Sequence, residues 1–169
     1  MAIKTPQVQL VELFNAANSG LATPLSEADV DFGAVAAAQE GDAKNSKLTI
    51  TAKAGSTNFS GAKELTFNRL VFAAGDTPVD DEMTNWDSDA EILGHFNTLV
   101  QQTHDEDEFA LADITITSAA NADDSTKTDV TVAIKAGHVK FLPGEAVVWT
   151  ISKAKADLST TNGDLDGFN

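Results

Sequence analysis

Leu48-Thr49-Ile50-Thr51-Ala52-Lys53-Ala54-Gly55 decides the fold, because the chain repeats it 82 residues later as Val130-Thr131-Val132-Ala133-Ile134-Lys135-Ala136-Gly137. Leu48, Ile50 and Ala52 fall on one side of the first octet, and Thr49, Thr51 and Lys53 on the other. Val130, Val132 and Ile134 keep the same phase in the second. A period of two is the mark of a half-buried strand, and Lys-Ala-Gly is turn chemistry. A slip of one residue would reverse the faces, so the shared phase also constrains register.

Working outward at the same offset, Phe14-Asn15 returns as Phe96-Asn97, Phe59 as Phe141 and Phe67 as Trp149. Leu10, Leu13, Phe14 and Ala17 make the apolar face of a helix that Thr5-Pro6 starts and Asn18-Ser19-Gly20 ends. Ile92, Phe96, Leu99 and Val100 make the matching face of a second helix. Ser88 and Glu91 have capping-box spacing at its start, and Gly94 costs it some stability. Ala28-Asp29-Val30 pairs with Ala112-Asp113-Ile114, which predicts short strands at 30–35 and 114–117. A last strand carries Leu65, Phe67 and Val71 in one stretch, and Val147, Trp149 and Ile151 in the other.

The expected fold is therefore α+β: two tandem similar units, each a helix plus a small, mainly antiparallel three-stranded sheet. A unit of about 65 residues is near the lower limit of independent stability, so the two are expected to pack as a pseudo-twofold. The first unit spans 1–75 and the second 88–155, with an acidic linker at 76–87 and a flexible acidic tail at 156–169. Leu48, Ile50, Leu65 and Phe67 are expected in one core and Val130, Val132, Val147 and Trp149 in the other, with Phe14 and Phe96 in equivalent buried positions.

A net charge of −15 on 169 residues argues against nucleic acid and anionic membrane surfaces as partners, since phosphate recognition needs Lys and Arg. With no cysteine, disulfides, thiolate metal sites and Cys catalysis are excluded. Met-Ala-Ile-Lys leads into polar residues without the apolar core of a signal peptide, and no apolar run approaches the ~18 residues of a membrane span.

The residues that could carry chemistry are few. His95, His104 and His138 share no spacing with a nucleophile. His104-Asp105-Glu106-Asp107-Glu108 is rich in oxygen, but neighbouring carboxylates on a regular backbone point apart. Asn162-Gly163-Asp164-Leu165-Asp166-Gly167 matches the first half of a calcium loop, with Asn162, Asp164 and Asp166 as weak ligand candidates, yet it lacks the closing Glu and the flanking helices. No catalytic or cofactor-binding residue is assigned, and the chain is expected not to be an enzyme. Leu165 and Phe168, apolar groups in a polar tail, are the candidates for binding a partner.

The first copy resembles a small repeated domain in structural proteins of large tailed bacteriophages. The resemblance runs through Val8-Gln9-Leu10-Val11-Glu12-Leu13-Phe14-Asn15-Ala16-Ala17-Asn18, Ala28-Asp29-Val30-Asp31-Phe32-Gly33, Leu48-Thr49-Ile50-Thr51-Ala52 and Thr66-Phe67-Asn68-Arg69-Leu70. Phe67 stands where that family usually has Tyr, and Trp149-Thr150-Ile151 lacks the Asn-Arg pair. The resemblance implies a virion protein made in the bacterial host cytoplasm, without cofactor, and a capsid decoration or cement protein on the outer head before others. Its partners would be other virion proteins, the major capsid protein first, with a homo-oligomer on the particle. A tail, collar or fibre-associated subunit is the alternative within that class. A secreted adhesion module binding carbohydrate or calcium is the alternative outside it.

Overall fold

The computed structural model describes residues 2–152. Helix α1 (Pro6–Ala17) begins where Thr5 Oγ1 accepts from Val8 N at 3.2 Å, with Pro6 in the first turn. Helix α2 (Asp89–Gln101) begins at a full capping box, Ser88 and Glu91 each bonding the other's backbone N–H. Both starts follow the sequence expectation.

The eight strands among the described residues form two sheets. In the first, β1 (Val30–Phe32) and β2 (Ala36–Ala37) share one edge of β3 (Ser46–Ala52), and β4 (Ala62–Phe67) takes the other, all antiparallel. In the second, β5 (Gly75–Asp80), β8 (Gly144–Ser152), β7 (Thr128–Ile134) and β6 (Ile114–Ala120) lie in that order. β5 runs parallel to β8 and the other pairs are antiparallel. The class is α+β, with two α-helices and two sheets among the described residues.

The two octets occupy the central strands β3 and β7, and their apolar phase faces the cores. Leu48 and Ile50 are buried in one cluster with Leu10, Val11, Leu25 and Val30. Val130, Val132 and Ile134 are buried in another with Ile92, Phe96, Val100, Phe141, Val147 and Trp149.

β1 and β2 together run along β3 as the unbroken β6 runs along β7. Phe32 opposes Ile50 and Ala36 opposes Lys47, so one extra residue is accommodated and the strand is interrupted. At the break Gly33 N donates to Thr49 O at 2.8 Å, and a Cβ at Gly33 would sit 3.0 Å from that oxygen.

Three expectations change. Residues 76–87 are not a linker: β5 is a strand of the second sheet, and Trp86 is buried against Trp149. The composition misled because Asp and Pro are compatible with a sheet edge, where outward side chains are solvated and one N–H is dispensable. That added strand makes the second sheet four-stranded and mixed rather than three-stranded, and the break between β1 and β2 makes the first four-stranded as well. Phe67 is also not the counterpart of Trp149. Leu65 faces Leu48 as Trp149 faces Val130, and Phe67 faces Ser46 as Ile151 faces Thr128. A register shift beside Val132 and Ala133 absorbs one residue of the difference, and the turn before the strand the other. Finally, Leu65, Phe67 and Phe14 are only half-buried, while Phe96 is wholly enclosed.

The tail at 156–169 lies outside the described residues. Among those described, no helix is long and apolar enough to cross a membrane.

Candidate functional site

The strands and helices of the two halves are tied by hydrogen bonds that recur at matched positions. Asn15 Nδ2 donates to Leu25 O and Asn15 Oδ1 accepts from Leu25 N, both at 2.8 Å. Asn97 makes the same pair with Phe109, at 3.0 and 2.8 Å. Asp29 Oδ2 accepts from Ser26 N at 3.0 Å, as Asp113 Oδ2 does from Ala110 N at 2.9 Å. Lys53 N donates to Asp29 O at 2.8 Å, and Lys135 N to Asp113 O at 2.9 Å. Lys53 Nζ reaches Glu27 O at 3.4 Å, and Lys135 Nζ reaches Leu111 O at 3.1 Å. Ser56 Oγ accepts from Phe59 N at 3.3 Å, and His138 Nδ1 from Phe141 N at 3.0 Å. In the sequence Asn15, Asn97, Lys53 and Lys135 are repeated letters without an assigned role. A polar residue repeated on a helix beside an apolar face was the available signal.

The three histidines are spread over the second half and each is engaged in packing. His95 stacks on Trp86 with ring centroids 3.9 Å apart, and its Nε2 lies 3.1 Å from Asn85 O. Asp81 fixes Trp86 by accepting from its Nε1 at 3.0 Å. The bonds Asp81 accepts from Trp86, Asn85 and the Glu82 backbone hold its carboxyl below the usual carboxylate range. His104 packs edge-on against Phe141. His138 is buried and stacked on Phe109, and Nδ1 accepts from the N–H of Lys140 and of Phe141. Burial pushes the His138 imidazole below its ordinary pKa; the Asp113 and Asp107 charges oppose that shift, and Arg69 and Lys140 add to it. The neutral tautomer with its proton on Nε2 is the one these bonds select.

The acidic run is divided by its own backbone. Asp107 turns inward to accept from Gln9 Nε2 at 2.7 Å and from Lys140 Nζ, while Glu106 pairs with Lys4 at 3.4 Å and Asp105 and Glu108 face solvent. Among the described residues no group of His, Cys, Asp and Glu could hold a metal ion. The calcium candidates Asn162, Asp164 and Asp166, and the binding candidates Leu165 and Phe168, lie outside the described residues.

The polar groups that converge do so at the seam between the halves. Arg69 is buried, with Nε donating to Ser46 Oγ at 2.7 Å and Nη1 to Ala136 O at 3.0 Å and His138 O at 3.3 Å. Burial lowers its pKa. Its neighbour Asn68 accepts from Asn45 N at 3.1 Å, and Leu70 bridges to Phe141. Of the pair Asn68 and Arg69, noticed in the sequence as part of a motif, Arg69 thus acts as a clasp between the halves, while Asn68 holds Asn45 within the first. Gln9, Asp107 and Lys140 form a second clasp, Lys140 Nζ also donating to Gln9 Oε1 at 2.7 Å.

The surfaces that meet are unlike. The first half contributes the start of α1 and the segment after β4. The second contributes the loop before β6, the loop between β7 and β8, and the β8 edge. On the first half, the corresponding acceptor region stays open among the described residues. Its centre is a groove lined by Leu13, Phe14, Ala17, Leu65 and Phe67. Leu13 is 65% exposed, and Leu70, which lines an adjoining hollow with Leu13 and Phe67, is 42% exposed. Exposed apolar groups grouped in this way mark an interaction face more often than scattered single ones do.

The chain belongs to a family of unknown function, DUF7941, whose model matches residues 1–169. No curated protein and no solved structure matches it.

Proposed function

We propose that this chain is a non-enzymatic structural protein of a bacteriophage particle, a decoration or cement protein on the outer surface of the head. The observation that carries the reading is the matched set of hydrogen bonds at Asn15 and Asn97, Asp29 and Asp113, Lys53 and Lys135, and Ser56 and His138. Such a set is what duplication of one helix-plus-sheet unit leaves behind. Here the polar groups that converge are spent on holding loops and joining the halves. The sequence resemblance to repeated domains of tailed-phage structural proteins supplies the setting. The charge of −15 suits an outward face that packaged DNA would repel.

The contacts favour a tandem, head-to-tail order of the two units over the pseudo-twofold expected from sequence. A twofold would bring the Ser56–Phe59 loop against the end of β8, as the His138–Phe141 loop meets the segment after β4. Among the described residues Gln9 of α1 bonds Asp107 and Lys140 of the second half, while Glu91, its counterpart on α2, bonds Ser88 of its own half. Backbone bonds from Leu70 to the loop before β8, and from Ala74 and Asp81 to β8, likewise join the segment after β4 to the second half.

Purified particles mixed with the protein and sedimented test the role. Co-sedimentation at a copy number matching the capsid lattice is expected. A few copies per particle would move the protein to the tail or collar, and no binding would remove the virion role.

A further inference from the structure

In the second sheet the outer edge of β8 is covered by β5. In the first sheet the outer edge of β4, its counterpart, has no strand beside it among the described residues. The two edges present the same pattern. Ala52 N donates to Gly61 O at 2.8 Å, so by alternation Lys63, Leu65 and Phe67 direct their backbone groups to β3, and Ala62, Glu64 and Thr66 direct theirs outward. On β8, Ala146 O and Ser152 O accept from Ala74 N and Asp81 N, so Val148 and Thr150 face β5. The register places Glu64 at the position of Val148 and Thr66 at that of Thr150.

What β5 and the turn after it cover on the second half is uncovered on the first. Val79 packs on the second core, and Trp86 lies over His95. The residue of α1 matching His95 is Leu13, at 65% exposure. A partner for β4 must supply an edge strand and apolar side chains for that groove.

We infer that β4 accepts, as a parallel strand, the C-terminal segment 153–169 of a second copy of this chain, joining copies head to tail. Three observations select this occupant. The segment after β4 crosses to the next unit's last strand rather than to its own, and 153–169 follows β8 as 68–80 follows β4. Its length suffices: Phe67 to Asp80 is thirteen residues, and thirteen on from Ile151 is Asp164. Its charge and apolar groups fit. Residues 153–169 begin with Lys153 and Lys155, and beyond them carry Asp157, Asp164 and Asp166 with no further basic residue, plus Leu158, Leu165 and Phe168. Residues 44–64 carry Lys44, Lys47, Lys53 and Lys63 against Glu64 alone, four of the 11 basic residues of an acidic chain. Strand addition to an open edge takes affinity from main-chain hydrogen bonds and specificity from alternate side chains.

The inference rests on the tandem reading but not on the virion role, so its failure in solution leaves particle binding to be judged separately. Sedimentation velocity of the full-length chain at rising concentration is the test. Species of two and more copies are expected, and a synthetic 153–169 peptide should dissociate them. Glu64→Pro removes one outward N–H that β3 does not use, and should weaken association about tenfold, the scale of one lost edge hydrogen bond. Should that variant fold poorly, Leu165→Asp with Phe168→Asp in the full-length chain should give the same loss. A full-length protein that stays monomeric, or assemblies that neither the peptide nor the tail variant alters, would overturn the inference.

Discussion

Asn15 and Asn97 hold their loops with the same pair of hydrogen bonds, yet the helices that carry them are buried to different depths. On α2, Ile92, Phe96 and Val100 are enclosed; on α1 only Leu10 and Val11 are. The sheets explain the gap. β8 has β5 outside it, followed by Trp86, and these extend the apolar floor under α2. β4 has no such neighbour among the described residues, so Phe14, Leu65 and Phe67 stay half-exposed. One backbone plan thus gives two cores of different strength, and the difference is one added strand.

The largest expected effect tests that difference directly. Phe96→Ala removes a wholly buried ring that packs on Phe109 and Phe72, and should cost about 3–5 kcal/mol. Phe14→Ala and Phe67→Ala remove half-exposed rings and should cost about 1–2 kcal/mol each. Urea titrations of the three variants measure this. Equal losses at Phe14 and Phe96 would mean that the first core is closed by something the described residues lack.

The sequence carried the central strands, both helix starts and the α+β class, because each rests on local period or capping. It did not carry β5. Gly75-Asp76-Thr77-Pro78-Val79-Asp80 has one apolar residue that packs inward, and an edge strand needs no more. The pairing of Phe67 with Trp149 failed for a related reason: a constant offset cannot see the register shift beside Val132. The clasp at Arg69 was present only as a letter in a motif, since burial of an arginine among carbonyls depends on a loop 67 residues away. The tail candidates at 162–168 fall outside the described residues.

Next in size is that clasp. Arg69→Met keeps much of the stem but leaves Ser46 Oγ and the carbonyls of Ala136 and His138 without their donor, and should cost about 2–3 kcal/mol. The loss should fall on the junction, so hydrogen exchange should rise first in the 136–142 loop and around β5. A uniform rise across both sheets would show that the halves do not open separately. Smaller again, Asn15→Ala and Asn97→Ala each remove two backbone partners and should cost about 2 kcal/mol apiece. The near-equality matters more than the size: shared scaffold should give equal penalties where the cores do not.

The smallest effect concerns the one scaffold position where the halves differ chemically. Ser56 in the first half and His138 in the second accept the N–H three residues on, but only His138 titrates. Its folded pKa is lowered by burial, so the unfolded chain takes up a proton before the folded one does. This contribution to stability is therefore complete above the ordinary imidazole pKa of about 6.5 and is lost as pH falls from there toward the folded value. The carboxylates whose pKa values are lowered, among them Asp29, Asp81 and Asp129, release their stability only below about pH 4, so the interval between belongs chiefly to the imidazole. Denaturation midpoints of the parent should decline from pH 7 to pH 5. His138→Ser, which installs the first half's solution, should start from a lower midpoint because the ring no longer fills its place against Phe109. It should then lose less on acidification, since a hydroxyl accepts the same N–H at either pH. An unchanged slope in the variant would assign the acid sensitivity to another group and leave His138 a packing residue alone.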